Sequence, residues 1–243
     1  MTTETLISFA RLISSLGFLS AFFVTFLAVR RFGKSALGSI FSYILIGTGI
    51  FFAITIFQQL GDGFFGISPE SMSLWWHLMF FMALASFYYG LKLLVGLGTA
   101  ETETNRGLKI GVEKIWAAVA LAILVGIFFS ANFFEYGVLS YTNSALGKMG
   151  FHHFVAVLLS GMVGSYLLLA KKDLGQIGKA VANPMSAAIW ILSLQHFWEL
   201  LVESWHLVPI SSQNNEGVEQ IFFIAVAVCL TYAALRLKSF AKA

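Results

Sequence analysis

Apolar runs of about twenty residues recur along this 243-residue chain, and they constrain its fold more than any other feature. As an α-helix, a run of that length spans the roughly 30 Å hydrocarbon core of a bilayer. Charged residues make up only 11% of the sequence, whereas soluble domains carry about 25%. The sequence therefore predicts an all-α integral membrane protein whose principal partner is the lipid bilayer.

The number of these runs predicts a single bundle of seven transmembrane helices over residues 1–243. The connections between adjacent runs are too short to hold a second domain. Asn183 and Pro184 have the form of a helix N-cap followed by a first-turn proline, and Pro209 follows the sixth span. The predicted spans are 6–29, 36–59, 73–97, 111–133, 149–170, 184–206 and 217–238.

The distribution of lysine and arginine predicts the orientation of the bundle. Basic residues concentrate in alternate connections and in the C-terminal tail, whereas the opposite side carries only Arg11 and Lys148. By the positive-inside rule, the N-terminus is outside and the C-terminus is cytoplasmic, which requires an odd number of spans. We expect a multi-pass protein of a bacterial or archaeal cytoplasmic membrane. The net charge of +3 comes from these connections, so no nucleic-acid partner is expected.

The sixth predicted span carries four ionisable side chains near its outer end: His196, Glu199, Glu203 and His206. On a continuous α-helix they fall within about 80° of one another around the axis. Ionisable groups within a bilayer are costly unless they are paired, and they commonly mark functional sites. Glu199 and Glu203 are therefore the candidate catalytic groups.

Histidines of two other spans are predicted to lie at the same outer end. His77 is near the start of the third span, and His152 and His153 begin the fifth. His153 shares a helical face with Ser160 and Gly164, whereas His152 is turned by about 100°, so His153 is the predicted ligand and His152 an interfacial residue. The predicted metal ligands are His77, His153, His196, Glu199, Glu203 and His206.

Histidine and glutamate three residues apart share a helical face, as they do in dinuclear iron or manganese sites of helical bundles. Zinc also accepts these ligands, and copper favours the imidazoles. We therefore expect a membrane metalloprotein that binds iron, copper, manganese or zinc. Its expected chemistry is redox or hydrolytic, on a small or lipophilic substrate, which makes a metal-dependent membrane oxidoreductase one interpretation.

Three alternatives fit the same residues. A b-type haem between two histidines on different helices would make the chain an electron-transfer anchor. A proton or ion relay would make it a transporter, channel or receptor, although not one with retinal, because the first lysine of the seventh span is Lys238 at its cytoplasmic end. Finally, the chain could be a structural subunit that binds other membrane subunits.

Overall fold

The computed structural model of this chain describes residues 3–60, 69–98, 151–170 and 176–240. The described residues are helical apart from short connecting turns, and they contain no strand. A five-residue π-helical turn, Leu200–Ser204, directly follows the fifth helix. The helices are α1 Thr3–Phe32, α2 Ala36–Leu60, α3 Pro69–Gly98, α4 Phe151–Ala170, α5 Gln176–Glu199 and α6 Ser212–Phe240.

Four segments of the described helices are long and apolar enough to cross a membrane. A helix suits the bilayer because it pairs its own backbone N–H and C=O groups where no water is available. The all-helical prediction is confirmed for the described residues, and the fourth predicted span, 111–133, lies outside them. The four segments are Thr3–Phe32, Gly38–Leu60, Gly178–Ser204 and Ser212–Leu237.

The ends of α5 differ from those predicted. The helix begins at Gln176 and continues through Pro184, so the prediction of Asn183 as its N-cap was wrong. Proline removes one backbone hydrogen bond from a helix, but the neighbouring residues Val181 and Met185 are buried among other helices. We attribute the continuous helix to this packing, because an interrupted helix would leave further backbone groups unpaired in apolar surroundings.

The described helices form a ring. α1 packs along α2 and α6, α2 packs along α3, and α5 packs along α4 and α6. α3 makes smaller contacts with α4 and α5, which close the ring. In the core, the Phe51 ring stacks on Phe18 and Phe87, with centroid distances of 5.4 and 6.0 Å.

Two pairs of rings show that α3 and α4 run parallel. The ring centroids of His77 and His153, near the two helix N-termini, are 5.3 Å apart. Further along both helices, the centroids of Tyr88 and Tyr166 are 5.7 Å apart. The N-terminal ends of α3 and α4 therefore lie at the same end of the bundle.

Candidate metal centre

Four histidines from three helices meet where α3, α4 and α5 close the ring. His77 comes from α3, His152 and His153 from α4, and His196 from α5. The centroid of the His77 ring is 4.6 Å from that of His152, and the His196 centroid is 5.8 Å from those of His77 and His153. Only His152 is partly exposed, whereas the other three are buried.

The buried carboxylate of Glu199 lies between two of these imidazoles. Its Oε2 is 2.7 Å from Nδ1 of His196 and 2.9 Å from Nδ1 of His153. Its other oxygen, Oε1, accepts a hydrogen bond from Nε2 of Gln195. A carboxylate removed from water requires such partners, so α5 supplies a well-supported anionic group at the centre of the histidine cluster.

Two nitrogens of the cluster are not used in hydrogen bonds within the described part of the chain. Nδ1 of His153 approaches Oε2 of Glu199 without the alignment that a hydrogen bond needs, and Nε2 of His196 is also buried without a hydrogen bond. Buried polar atoms are normally satisfied. A cation bound by the lone pair of Nδ1 of His153 would satisfy that atom.

Within the described ranges, the potential ligands fall into two groups of three. In each group, one ligand atom from every residue lies within 4.8 Å of the others. Neighbouring ligands on a tetrahedral ion with bonds of about 2.1 Å are about 3.4 Å apart, somewhat longer than the distances of 2.7 and 2.9 Å around Oε2 of Glu199. The groups are His77 with His152 and His153, and His153 with His196 and Glu199.

A second group of polar residues connects the cluster to the protein surface. The side chain of Glu203 is 47% exposed, and its Oε2 lies 3.6 Å from Nε2 of His153. Nδ2 of Asn215 donates hydrogen bonds to Oε1 of Glu203 and to Oε1 of Glu219, at 2.9 and 2.7 Å. Asn215 is itself held by Nε1 of Trp198, which donates to its Oδ1 at 2.7 Å. These contacts fix the edge of the site between α5 and α6.

Aromatic rings cover the apolar side of the cluster. Trp76 stacks on Phe80 with a centroid distance of 5.4 Å, and both rings meet the His196 imidazole edge-on. The Trp76 ring also contacts Phe223 of α6. This packing limits access of water to His196, which strengthens electrostatic interactions within the site.

The structure brings most of the predicted ligands together. His77, His153, His196 and Glu199 form the cluster, and Glu203 lies at its edge. His206 lies outside both ligand groups: it is exposed, has a positive φ of 51°, and places its Nδ1 3.1 Å from the Val202 carbonyl oxygen. The π-helical turn explains this position, because the helical geometry that aligned His206 with His196 stops at Glu199.

Three residues of the site were not among the predicted ligands or their partners. His152 was expected to face away, but it joins the cluster because His77 packs against both α4 histidines. Gln195 could have been identified from its spacing, since a polar residue four positions before Glu199 shares its helical face. The role of Asn215 depends on how α6 packs against α5, for which the sequence gives no signal.

No family model, curated protein or solved structure matches this chain. The case for function therefore depends on the geometry of the site.

Proposed function

We propose that this chain is a membrane metalloprotein that binds a transition-metal ion between His153, His196 and Glu199. One observation carries the proposal: in a buried site, Nδ1 atoms of two imidazoles lie within 3 Å of a single carboxylate oxygen. If each of the two nitrogens carried a proton, both contacts would be hydrogen bonds only if both N–H groups pointed at that oxygen. An ion bound by all three groups does not require this alignment.

The available ligands narrow the choice of metal. Imidazole nitrogens and a carboxylate oxygen suit zinc, copper, iron and manganese. They suit calcium and magnesium less well, because those ions prefer sites made mainly of oxygen. Among the described residues, the thiol of Cys229 belongs to neither ligand group, so a thiolate-rich site is not part of the proposal.

The proposed chemistry is redox or hydrolytic, on a small or lipophilic substrate. Such a metal ion would act as an electron carrier or as a Lewis acid. Glu199 holds the two imidazoles, whereas the half-exposed Glu203 can accept a proton at the edge of the site, within hydrogen-bond reach of water. The aromatic wall of Trp76 and Phe80 would suit an apolar substrate.

The geometry favours a bare ion over haem. A haem between His153 and His196 would have to displace the Glu199 carboxylate, which contacts both imidazoles. A proton relay is the second candidate, and one observation favours it. The two nitrogens of His153 face Glu199 and Glu203, which links the buried carboxylate to the surface. In that case the chain would be a proton-coupled carrier and would bind no metal.

The proposal includes one bundle of seven spans with an external N-terminus. The parallel course of α3 and α4 supports this count, because successive spans alternate in direction and these two helices are the third and fifth of the predicted seven. Exposed apolar side chains on α1, such as Phe9 and Phe23, would contact lipid or another membrane subunit.

The orientation can be tested by labelling single cysteines in intact cells. In a Cys229→Ser background, the thiol of Leu207→Cys should react with a membrane-impermeant maleimide from outside. The thiol of Lys34→Cys should react only after the membrane is opened. The reverse pattern would overturn the proposed orientation.

The metal proposal is tested by elemental analysis of the protein purified in detergent. Wild-type protein should contain stoichiometric transition metal, and Glu199→Gln should lose the ion bound between His153, His196 and Glu199. Glu4→Gln is the matched control, because it makes the same change at an exposed position in the first turn of α1. Metal-free wild-type protein that also fails to bind added Zn²⁺, Cu²⁺, Fe²⁺ or Mn²⁺ would exclude the proposal and favour the relay.

A further inference from the structure

We infer that the cluster holds two metal ions rather than one, with His153 as their shared ligand. The second ion would be bound by His77, His152 and His153. This inference rests on the proposed function, since it places a second ion beside the first.

The arrangement of the ligands carries the inference. The five potential ligands separate into two groups of three, and His153 is common to both. The first group joins α4 to α5, whereas the second joins α4 to α3. The centroid of the His152 ring is 4.0 Å from that of His153, and that of His77 is 5.3 Å from it, so three imidazoles are crowded together beyond the Glu199 carboxylate.

His153 has the chemistry that a shared ligand requires. An imidazole has two nitrogens on opposite sides of its ring, and each can bind a different ion when both have lost their protons. Nδ1 of His153 faces Glu199, whereas Nε2 points away from it and lies 3.6 Å from Oε2 of Glu203. A neutral ring carries a proton on only one nitrogen, so binding of both ions releases one proton to water, and the bridging imidazolate then carries one negative charge.

The charges of the surrounding residues suit two cations. The bridging imidazolate and the carboxylates of Glu199 and Glu203, which lie 2.9 and 3.6 Å from its nitrogens, together supply three negative charges. An isolated cation in an apolar bundle is costly unless it is neutralised. Two divalent ions sharing these three anionic groups would leave a small net charge at the semi-exposed edge of the site.

The two sites should differ in metal preference. Three imidazoles without a carboxylate favour copper or zinc, whereas two imidazoles with a carboxylate also suit iron or manganese. We therefore expect the site of His77, His152 and His153 to select Cu²⁺ or Zn²⁺. The site that contains Glu199 should accept a wider range of ions.

Metal stoichiometry in single-histidine variants tests the inference. Metal-free protein is loaded with Zn²⁺, freed of excess ion and analysed for zinc per chain. Wild-type protein should retain two ions, His152→Ala and His196→Ala one each, and His153→Ala none. The exposed His206 provides the control, because His206→Ala should retain two.

A spectroscopic titration keeps the inference testable if His153→Ala does not fold. In wild-type protein, the Cu²⁺ electron paramagnetic resonance signal should grow with the first equivalent and fall with the second, because two close ions couple through a bridging imidazolate. In His152→Ala, one equivalent should saturate the signal, and it should not fall.

The outcomes separate this inference from the proposed function. One zinc per wild-type chain, lost in His196→Ala but kept in His152→Ala, would overturn the second ion and leave the first in place. Two zinc ions in His152→Ala would also overturn it. Absence of zinc from wild-type protein would overturn both.

Discussion

Two polar regions at the same end of the bundle pair their side chains in different ways. In the α1–α6 contacts, which we define as Arg11 with Glu216 and Ser14 with Gln220, each side chain faces one partner on the other helix. Arg11 forms an ion pair with Glu216, and the Ser14 hydroxyl donates to Oε1 of Gln220 at 3.1 Å. In the candidate metal centre, by contrast, two imidazole nitrogens converge on a single carboxylate oxygen, at 2.7 and 2.9 Å.

This difference separates contacts that join helices from groups that are available to a ligand. Interhelical hydrogen bonds in membrane bundles contribute about 0.6 kcal/mol on average to stability, and such pairs do not require a bound ligand. An accumulation of imidazoles around a buried carboxylate costs more unless something else binds there. Burial alone therefore does not identify a site. The convergence of several imidazoles on one carboxylate distinguishes the two regions.

The largest expected effect comes from replacing the carboxylate in each region. Glu199→Gln removes the anionic ligand and should weaken Zn²⁺ binding by about 100-fold or more. Replacing residues that only orient the ligands already lowers metal affinity by about 10- to 100-fold. Glu216→Gln should leave the affinity within about threefold, because its partner is Arg11. Competition with a chelating dye measures both affinities. Equal losses in the two variants would remove the distinction between the regions.

Helix packing behind the metal centre should have the next largest effect. A Cβ at Gly164 would lie 2.8 Å from Nε1 of Trp190, whereas one at Gly161 would meet its nearest neighbour, Oγ of Ser193, at 3.6 Å. Gly164→Ala should shift α4 against α5 and separate His153 from His196. Crowding of this kind costs about 1–3 kcal/mol.

The thermal unfolding temperature and the Zn²⁺ affinity should therefore both fall in Gly164→Ala. Gly161→Ala on the same helix should change neither and is the matched control. A normal affinity in a destabilised Gly164→Ala protein would show that the α4–α5 contact does not position the ligands.

The α1–α6 contacts should affect stability without affecting metal. Ser14→Ala removes the hydroxyl that donates to Gln220 and should destabilise the protein by about 0.6 kcal/mol, the average for such bonds in membranes. Zinc content should not change. Thermal unfolding in detergent, followed by elemental analysis of the same sample, measures both quantities. Loss of zinc in Ser14→Ala would mean that the two regions are coupled.

The smallest effect is expected at His206. Because this residue is exposed and its Nδ1 contacts the Val202 carbonyl oxygen, His206→Ala should leave Zn²⁺ affinity unchanged within error. A tenfold loss of Zn²⁺ affinity would place His206 among the ligands, as predicted for a continuous helix.

Sequence patterns located most helices because length and hydropathy are local properties. The predicted spans 36–59 and 217–238 lie within a few residues of α2 and α6. The start of α5 was missed because a proline within a helix is tolerated only through tertiary packing, which is not a local property. The π-helical turn was missed for a similar reason: Trp198 and Asn215, which hydrogen-bond beside it, come from different helices.

The candidate site was predictable in part. His196 and Glu199 were correctly paired, because three-residue spacing on a helix determines their contact. The place of His152 was not predictable from a helical projection of α4 alone, because it depends on the side from which α3 approaches. The shared position of His153 between two ligand groups likewise appears only when three helices are assembled.

X-ray absorption at the metal edge tests the central claim most directly, because it reports which atoms surround the ion. For zinc-loaded wild-type protein, we predict a first shell of nitrogen and oxygen at about 2.0–2.1 Å, with the outer-shell scattering that imidazole rings produce. A zinc spectrum without imidazole scattering would contradict the proposed metal centre.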